Sequence, residues 1–485
     1  MPFMDENRTT RRGVPGPRRR RCLSCLLIAV VAVPFLFASC SPEPAQPNIV
    51  IVVLDTVRDD YVGIDVPGYP GEPLTPWFDR VAAEGVDFTH AYANAPWTVP
   101  SHASLLTGRY PSTHKCTGYN WKFEYPGPTL AERLNESGYT TVAFFSNPWL
   151  TDRLTGIMRG FDEQYVDPRF GSEVLSIPTQ GGPETVGFVE RWLEGRDGDE
   201  PFLMFVNILE AHLPYAPPSY YREAYLPEVG PREVVRGEMA DSVNVGLKDW
   251  EDVDWEHVRR MYAGDVNAAD SLFGMLVQSL RRHDVYDDAV IIVTSDHGEL
   301  IGEYGFFEHQ FGVYEELLAV PLAIRAPGHL EAGVRNDPVM LTDLYATVLD
   351  LAGLESRVEP DVSHTLLGEP LPDDRPIVAE YAGPSSPLLV KVHELAPELD
   401  EPYLTTAYST VRVGDLRLTV GSDGSNRLED FSDEPMTQEE LQTRGREIAT
   451  ALRRFLPHPV TPASSAELEA DEDLQERLRS LGYIN

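Results

Sequence analysis

Residues 48–56 read NIVIVVLDT, an unbroken apolar and largely β-branched run closed by a carboxylate. A run without polar alternation suits a strand covered on both faces, as in a parallel sheet, and open α/β sheets keep their ligands at the carboxyl ends of such strands. Asp55 is therefore the first candidate site residue. The signature returns at 201–209, followed by Glu210-Ala211-His212, and at 289–294, AVIIVT, followed by Ser295-Asp296-His297-Gly298-Glu299. Residues 139–146 read as a further strand, ending in Asn147-Pro148. Residues 75–85 and 255–283 have helical spacing, with Gly85 as a stop, and 87–93 read as extended. This alternation predicts an α/β fold: a doubly wound, mostly parallel sheet flanked by helices. From 361 onward the character changes. Two β-runs within 403–420, a helix over 437–456 and an acidic helix over 471–482 predict a small C-terminal α+β subdomain.

A second stretch, NAPWTVPSHASLLTGRYP at 94–111, places a hydroxyl before a short helix that carries Pro100 in its first turn and stops near Gly108. Thr98 would then sit at the positive end of the helix, where unpaired N–H groups and aligned peptide dipoles favour an oxyanion. Thr98 or Ser101 as a plain N-cap is the commoner use of these residues, and the stretch alone leaves both readings open. Asp296-His297 at a strand end, set beside Asp55 at another, reads as a mixed oxygen and nitrogen metal site; a hydrogen-bonded loop is the alternative for the pair taken alone. Asp59 and Asp60 follow Arg58 and read as turn-capping residues. Glu308-His309 falls in a glycine-rich loop from Gly302 to Gly312, expected to be mobile and to offer a substrate-binding cation. His212 also follows a strand.

The formal net charge is -37 over 485 residues, and removing the arginine-rich first 39 would leave -42. Such a surface repels nucleic acid, and no nucleic-acid partner is expected. Three of the four cysteines, Cys22, Cys25 and Cys40, lie in the first forty residues, so with Cys116 they do not make a disulfide framework. Arg8, Arg11, Arg12 and Arg18–Arg21 precede an apolar stretch that ends at Ala38-Ser39-Cys40, the layout of a bacterial lipoprotein signal. The stretch, interrupted by Pro34, is short for a membrane span, although an uncleaved N-terminal anchor is the alternative. The expected organisation is a signal peptide over 1–39, a tether over 40–47, a catalytic domain over 48–360 and a C-terminal subdomain over 361–485. Lipidated Cys40 would hold the protein on a membrane surface facing the periplasm or exterior.

Together the motifs resemble the sulfatase family of the alkaline-phosphatase-like superfamily. NIVIVVLDTVRDDYVG, PWTVPSHASLLTGRYP, FVNILEAHLPYAPP, VIIVTSDHGELIGEYG, YEELLAVPLAIRAPG, LTDLYATVLDLAGL and the terminal LRSLGY occur in family order. The resemblance implies one divalent metal held by Asp55, Asp296 and His297 with Thr98 completing the sphere. It also implies that His212 and His309 contact the transferred group or leaving oxygen, with His102 beside the nucleophile. This donor set suits Ca, Mg, Mn or Zn. The departures concern the chemistry: Thr98 replaces the Cys or Ser that becomes formylglycine, His102 replaces Arg, and Thr56 replaces a second Asp. Asn147-Pro148 falls where many members carry Lys-Trp-His, and His309 where many have Lys. The implied function is hydrolysis of sulfate or phosphate esters of small molecules, glycans or lipids, with phosphorus esters favoured by the Thr. A phospho-head-group transferase and a non-catalytic surface lipoprotein are the alternatives.

Overall fold

Ile49–Leu54 is buried along its whole length because its two faces enter two different cores. Val50, Val52 and Leu54 pack with Trp255–Arg282, while Ile49, Ile51 and Val53 pack with Thr98–Thr107 and Thr342–Leu351. Alternate side chains of a strand point to opposite faces, so an all-apolar run requires a helical layer on each side. The computed structural model describes residues 46–456 apart from 119, 168–179, 197, 199, 231, 400–401 and 433. The expected signal peptide, Cys40 and the helix over 471–482 lie outside the described residues. Among the described residues no helix is long and apolar enough to cross a membrane.

Eight strands form the central sheet, in the order Gly333–Arg335, Val86–Phe88, Leu322–Arg325, Val290–Thr294, Ile49–Leu54, Phe202–Ile208, Thr140–Phe145, Glu163–Val166. The five from Val290–Thr294 to Glu163–Val166 run parallel, and Leu322–Arg325 is antiparallel to both of its neighbours. The fold is thus the mixed α/β architecture expected, with a mostly parallel sheet. Four adjacent parallel strands open their carboxyl ends on one edge. They deliver Asp296-His297, Asp55, Asn207 with His212, and Asn147 to one place.

The C-terminal region is a four-stranded antiparallel sheet, Ile377–Tyr381, Tyr408–Val413, Leu416–Gly421 and Asn426–Asp430, packed by Gln438–Arg453. Its first strand is tied to the segment before Thr98. Asn94 donates to the Val378 carbonyl at 2.8 Å, and the Glu380 amide donates to the Asn94 carbonyl at 2.9 Å.

Candidate active site

The Thr98 helix, Thr98–Thr107, begins at the threonine itself, earlier than the sequence reading placed it. Trp97 is its N-cap and makes no side-chain capping bond. Gly108 ends it in the left-handed region at φ 64°. The Thr98 hydroxyl therefore does not cap this helix, and it lies 3.4 Å from Nε2 of His297. Ser101 does not cap it either: its hydroxyl donates to the Asp296 carbonyl at 2.6 Å and pins the helix to the Asp-His turn. That turn is closed by Ser295, whose Oγ accepts from the Val57 amide at 3.0 Å and donates to the His297 carbonyl at 2.8 Å. Gly298 follows because a Cβ there would run into the carbonyl of Glu316.

Asp55, Asp296 and His297 converge, with one donor atom of each lying within 4.8 Å of the others, and all three are buried. Asn147 and Asn207 both donate to Oδ2 of Asp55 at 2.9 Å, while its Oδ1 is buried without a partner. In Asp296, Oδ1 accepts the amides of Thr56 at 3.2 Å and His297 at 3.1 Å, and Oδ2 is likewise orphaned. His297 donates Nδ1–H to the Gly298 carbonyl at 2.8 Å, which leaves Nε2 as a lone-pair donor facing the same space. Thr56 contributes its backbone where many family members have a second carboxylate. Its φ of 59° turns the amide onto Asp296, and Tyr262 holds its carbonyl at 2.7 Å.

Two buried carboxylate oxygens without hydrogen-bond donors, beside a free imidazole nitrogen, fit a divalent cation, because such orphans are costly in a dry interior. The electrostatics agree. Burial alone would raise Asp55, but His212, His297 and the Asn207 amide hold it below the ordinary carboxylate range. Burial and the charge of Asp55 push Asp296 well above that range. Burial and the neighbouring His309 keep His297 neutral, the form in which it can ligate.

Three imidazoles wall the other side. His309 packs at 4.5 Å between ring centroids on His297 and at 5.3 Å on His212. Burial pulls His212 down, yet Asp55 and Glu299 outweigh it, and the ring ends above its usual value. Burial and His212 drive His309 down to about 3. His102 lies beneath: its Nδ1 donates to the Thr98 carbonyl at 2.8 Å and stands 3.5 Å from Oδ2 of Asp296.

All the sequence-predicted site residues are thus brought together, and one expectation changes in detail. The segment before His309 is a folded hairpin, Leu300–Ile301 on Phe307–Glu308, where a glycine-rich loop was expected, and His309 is 3% exposed. As expected, Asp59 and Asp60 stay outside the metal group, and Asp60 pairs with Arg58 at 2.7 Å. Sequence reasoning missed Asn207 and Glu299 and took Asn147 only as a departure. A single polar residue inside the apolar run FLMFVNI was the signal for Asn207.

The sulfatase family model matches residues 47–354. The chain is 26% identical over 375 residues to an arylsulfatase of Clostridium perfringens, covering 63% of this chain and 75% of that protein. It is 29% identical over 380 residues to an ulvan-active sulfatase of Formosa agariphila, covering 70% of each. A choline-sulfatase of Rhizobium meliloti is 26% identical over 390 residues, covering 70% of this chain and 75% of that one. The phosphonate monoester hydrolase of Agrobacterium radiobacter superposes with a TM-score of 0.66 at 21% identity, over 84% of this chain and 94% of that one, a likeness of fold. With the family model spanning most of the described chain and its motifs converging on one site, this protein belongs to the sulfatase family and is a sulfatase-like ester hydrolase.

Proposed function

We propose that the protein is a metal-dependent hydrolase of small-molecule or glycan esters that uses Thr98 as its nucleophile and turns over phosphorus esters better than the matching sulfates. The observation that carries this reading is the Thr98 hydroxyl: buried, free of any capping duty, and 3.4 Å from a metal-competent imidazole nitrogen. A divalent cation held by Asp55, Asp296 and His297 would supply positive charge for the transferred group and acidify the hydroxyl. Thr98 attacks in line, aided by the helix N-terminus at which it stands. Of the two candidate proton donors to the leaving oxygen, His212 and His309, His212 is favoured, because its ring is held above its usual value whereas His309 is driven down to about 3. The Nδ1–H of His212 is committed to the Leu213 carbonyl at 2.7 Å, which leaves Nε2 for the substrate.

The preference follows from the single hydroxyl. Formylglycine hydrate carries two, so one can attack and the other later expel sulfate by C–O cleavage. Thr98 has one, and its covalent intermediate must be opened by attack at phosphorus or sulfur. The test is the ratio of kcat/KM for 4-nitrophenyl phosphate, or the phosphodiester, to that for 4-nitrophenyl sulfate, with Thr98→Ala as blank. A preference for sulfate that vanishes in the blank would overturn the reading.

We further propose that Cys40, preceded by its basic and apolar segment, is lipidated and holds the enzyme on an extracytoplasmic membrane surface. One acyl chain anchors only marginally, so a multiply acylated cysteine is required. Cys40→Ala should release the protein or leave it unprocessed. Unchanged membrane association with an intact N-terminus would favour an uncleaved anchor.

A further inference from the structure

His309 stands where many sulfatases carry a lysine, and its seat is built with care. Its Nδ1 lies 2.9 Å from Oε1 of Glu299, whose carboxyl is fully buried. The backbone of Glu299 is fixed in turn, because Arg58 donates to its carbonyl at 3.1 Å. The two residues flanking His309, Glu308 and Gln310, have φ of 77° and 78°. Such left-handed geometry is unfavourable for a residue with a Cβ. The hairpin accepts that strain on both sides of His309. Gln310 is clamped as well: its Oε1 accepts the Ser385 amide at 2.8 Å, and its carbonyl accepts the Tyr381 hydroxyl.

We propose that His309, oriented by Glu299, is the base that activates water to open the covalent Thr98 intermediate. The inference rests on Thr98 being the nucleophile. A formylglycine enzyme has no such step, since its second hydroxyl expels the group; a threonine enzyme must recruit water and remove a proton from it. When Nδ1–H is given to Oε1 of Glu299, Nε2 carries the lone pair and is the ring atom that takes the proton. The water oxygen bonds to phosphorus (or sulfur) and its proton passes to Nε2 of His309. The bond from phosphorus to Thr98 Oγ breaks, and its electron pair stays on Oγ. The proton on Nε2 is then delivered to Oγ, restoring the threonine hydroxyl and the neutral imidazole as the inorganic product leaves. His309 is the catalytic residue of this step and Glu299 a positioning residue.

The experiment is rapid-quench kinetics of the full-length enzyme with the better turned-over of 4-nitrophenyl phosphate and 4-nitrophenyl sulfate. It is combined with mass spectrometry of the peptide containing Thr98. In Glu299→Ala and His309→Ala the first nitrophenol should still be released in a burst of about one per protein. Steady-state turnover should fall on the order of 100-fold or more, and the esterified Thr98 peptide should accumulate. Glu299→Gln, which keeps an oxygen acceptor for Nδ1–H, should retain most of the turnover that Glu299→Ala loses, and imidazole in solution should partly restore the water-opening step of His309→Ala. A burst reduced as much as the steady state, with no adduct accumulating, would overturn the role of the pair while an adduct on Thr98 in trapped wild type left the nucleophile standing. No adduct on Thr98 in any protein would remove both readings.

Discussion

Exchanging Asp296 for asparagine removes a charge from the site while leaving the geometry of the turn in place. Oδ1 accepts two backbone amides, whereas Oδ2 makes no hydrogen bond and stands 3.4 Å from Nε2 of His297. An amide of the same shape retains the first oxygen and presents an NH₂ to that nitrogen. The donor atoms of Asp55, Asp296 and His297 lie within 4.8 Å of one another. Two unit negative charges at such a distance repel by about 3.5 kcal/mol at an effective dielectric constant of about 20. Proton uptake at the pair relieves part of this, so the metal-stripped Asp296→Asn protein should be more stable than stripped wild type by about 1–3 kcal/mol. Added divalent cation should reverse the order. Wild type gains about 2.7 kcal/mol at a hundredfold excess over its Kd, and the variant gains nothing. The assay is thermal melting after chelation and again with Ca, Mg, Mn or Zn added singly, with metal content measured on the purified proteins. A stripped variant that melts below stripped wild type, or one that keeps the metal-dependent rise, would refute the account of these oxygens.

Asn207→Leu takes one of the two donors from Oδ2 of Asp55 and should weaken metal binding by about 10–100-fold, read by calorimetric titration of stripped protein; unchanged affinity would show that the amide does not support the ligand. Asp270, fully buried, accepts the amides of Trp77 at 3.0 Å and Phe78 at 2.8 Å, and burial pushes it up to about 7. Its folded value lies above the unfolded one of about 3.9, so the folded state holds a proton that the unfolded state releases. Stability contributed by that proton is present below about pH 4 and is lost as pH rises to about 7, at up to about 1.4 kcal/mol per pH unit. Urea midpoints of Asp270→Asn should be flatter across this window than those of wild type, and equal slopes would count against it.

Much of this architecture could be read from the chain because buried parallel strands announce themselves. Ile49–Leu54, Phe202–Ile208 and Val290–Thr294 are apolar runs, and the residues just beyond them are the site. What escaped depends on pairings distant in sequence or on exposed surface. Glu299 and His309 meet only because a short hairpin folds back, and the glycines that suggested an open loop instead provide its turns, with Gly302 at φ 95° and Gly305 at φ 80°. The C-terminal sheet showed two of its four strands. Asn426–Asp430, NRLED, is a polar edge strand without an apolar face to betray it.

The order of strands also governs how this enzyme must come into being. The central strand, complete by residue 54, pairs with strands that begin at residues 202 and 290. A growing chain therefore carries a bare, strongly apolar ribbon through most of its synthesis, with long loops to close before either edge is covered. Asp55 exists early, but Asp296 and His297 come within reach only when the last of these pairings forms. A cation held by these three residues could therefore be captured only once the sheet has closed.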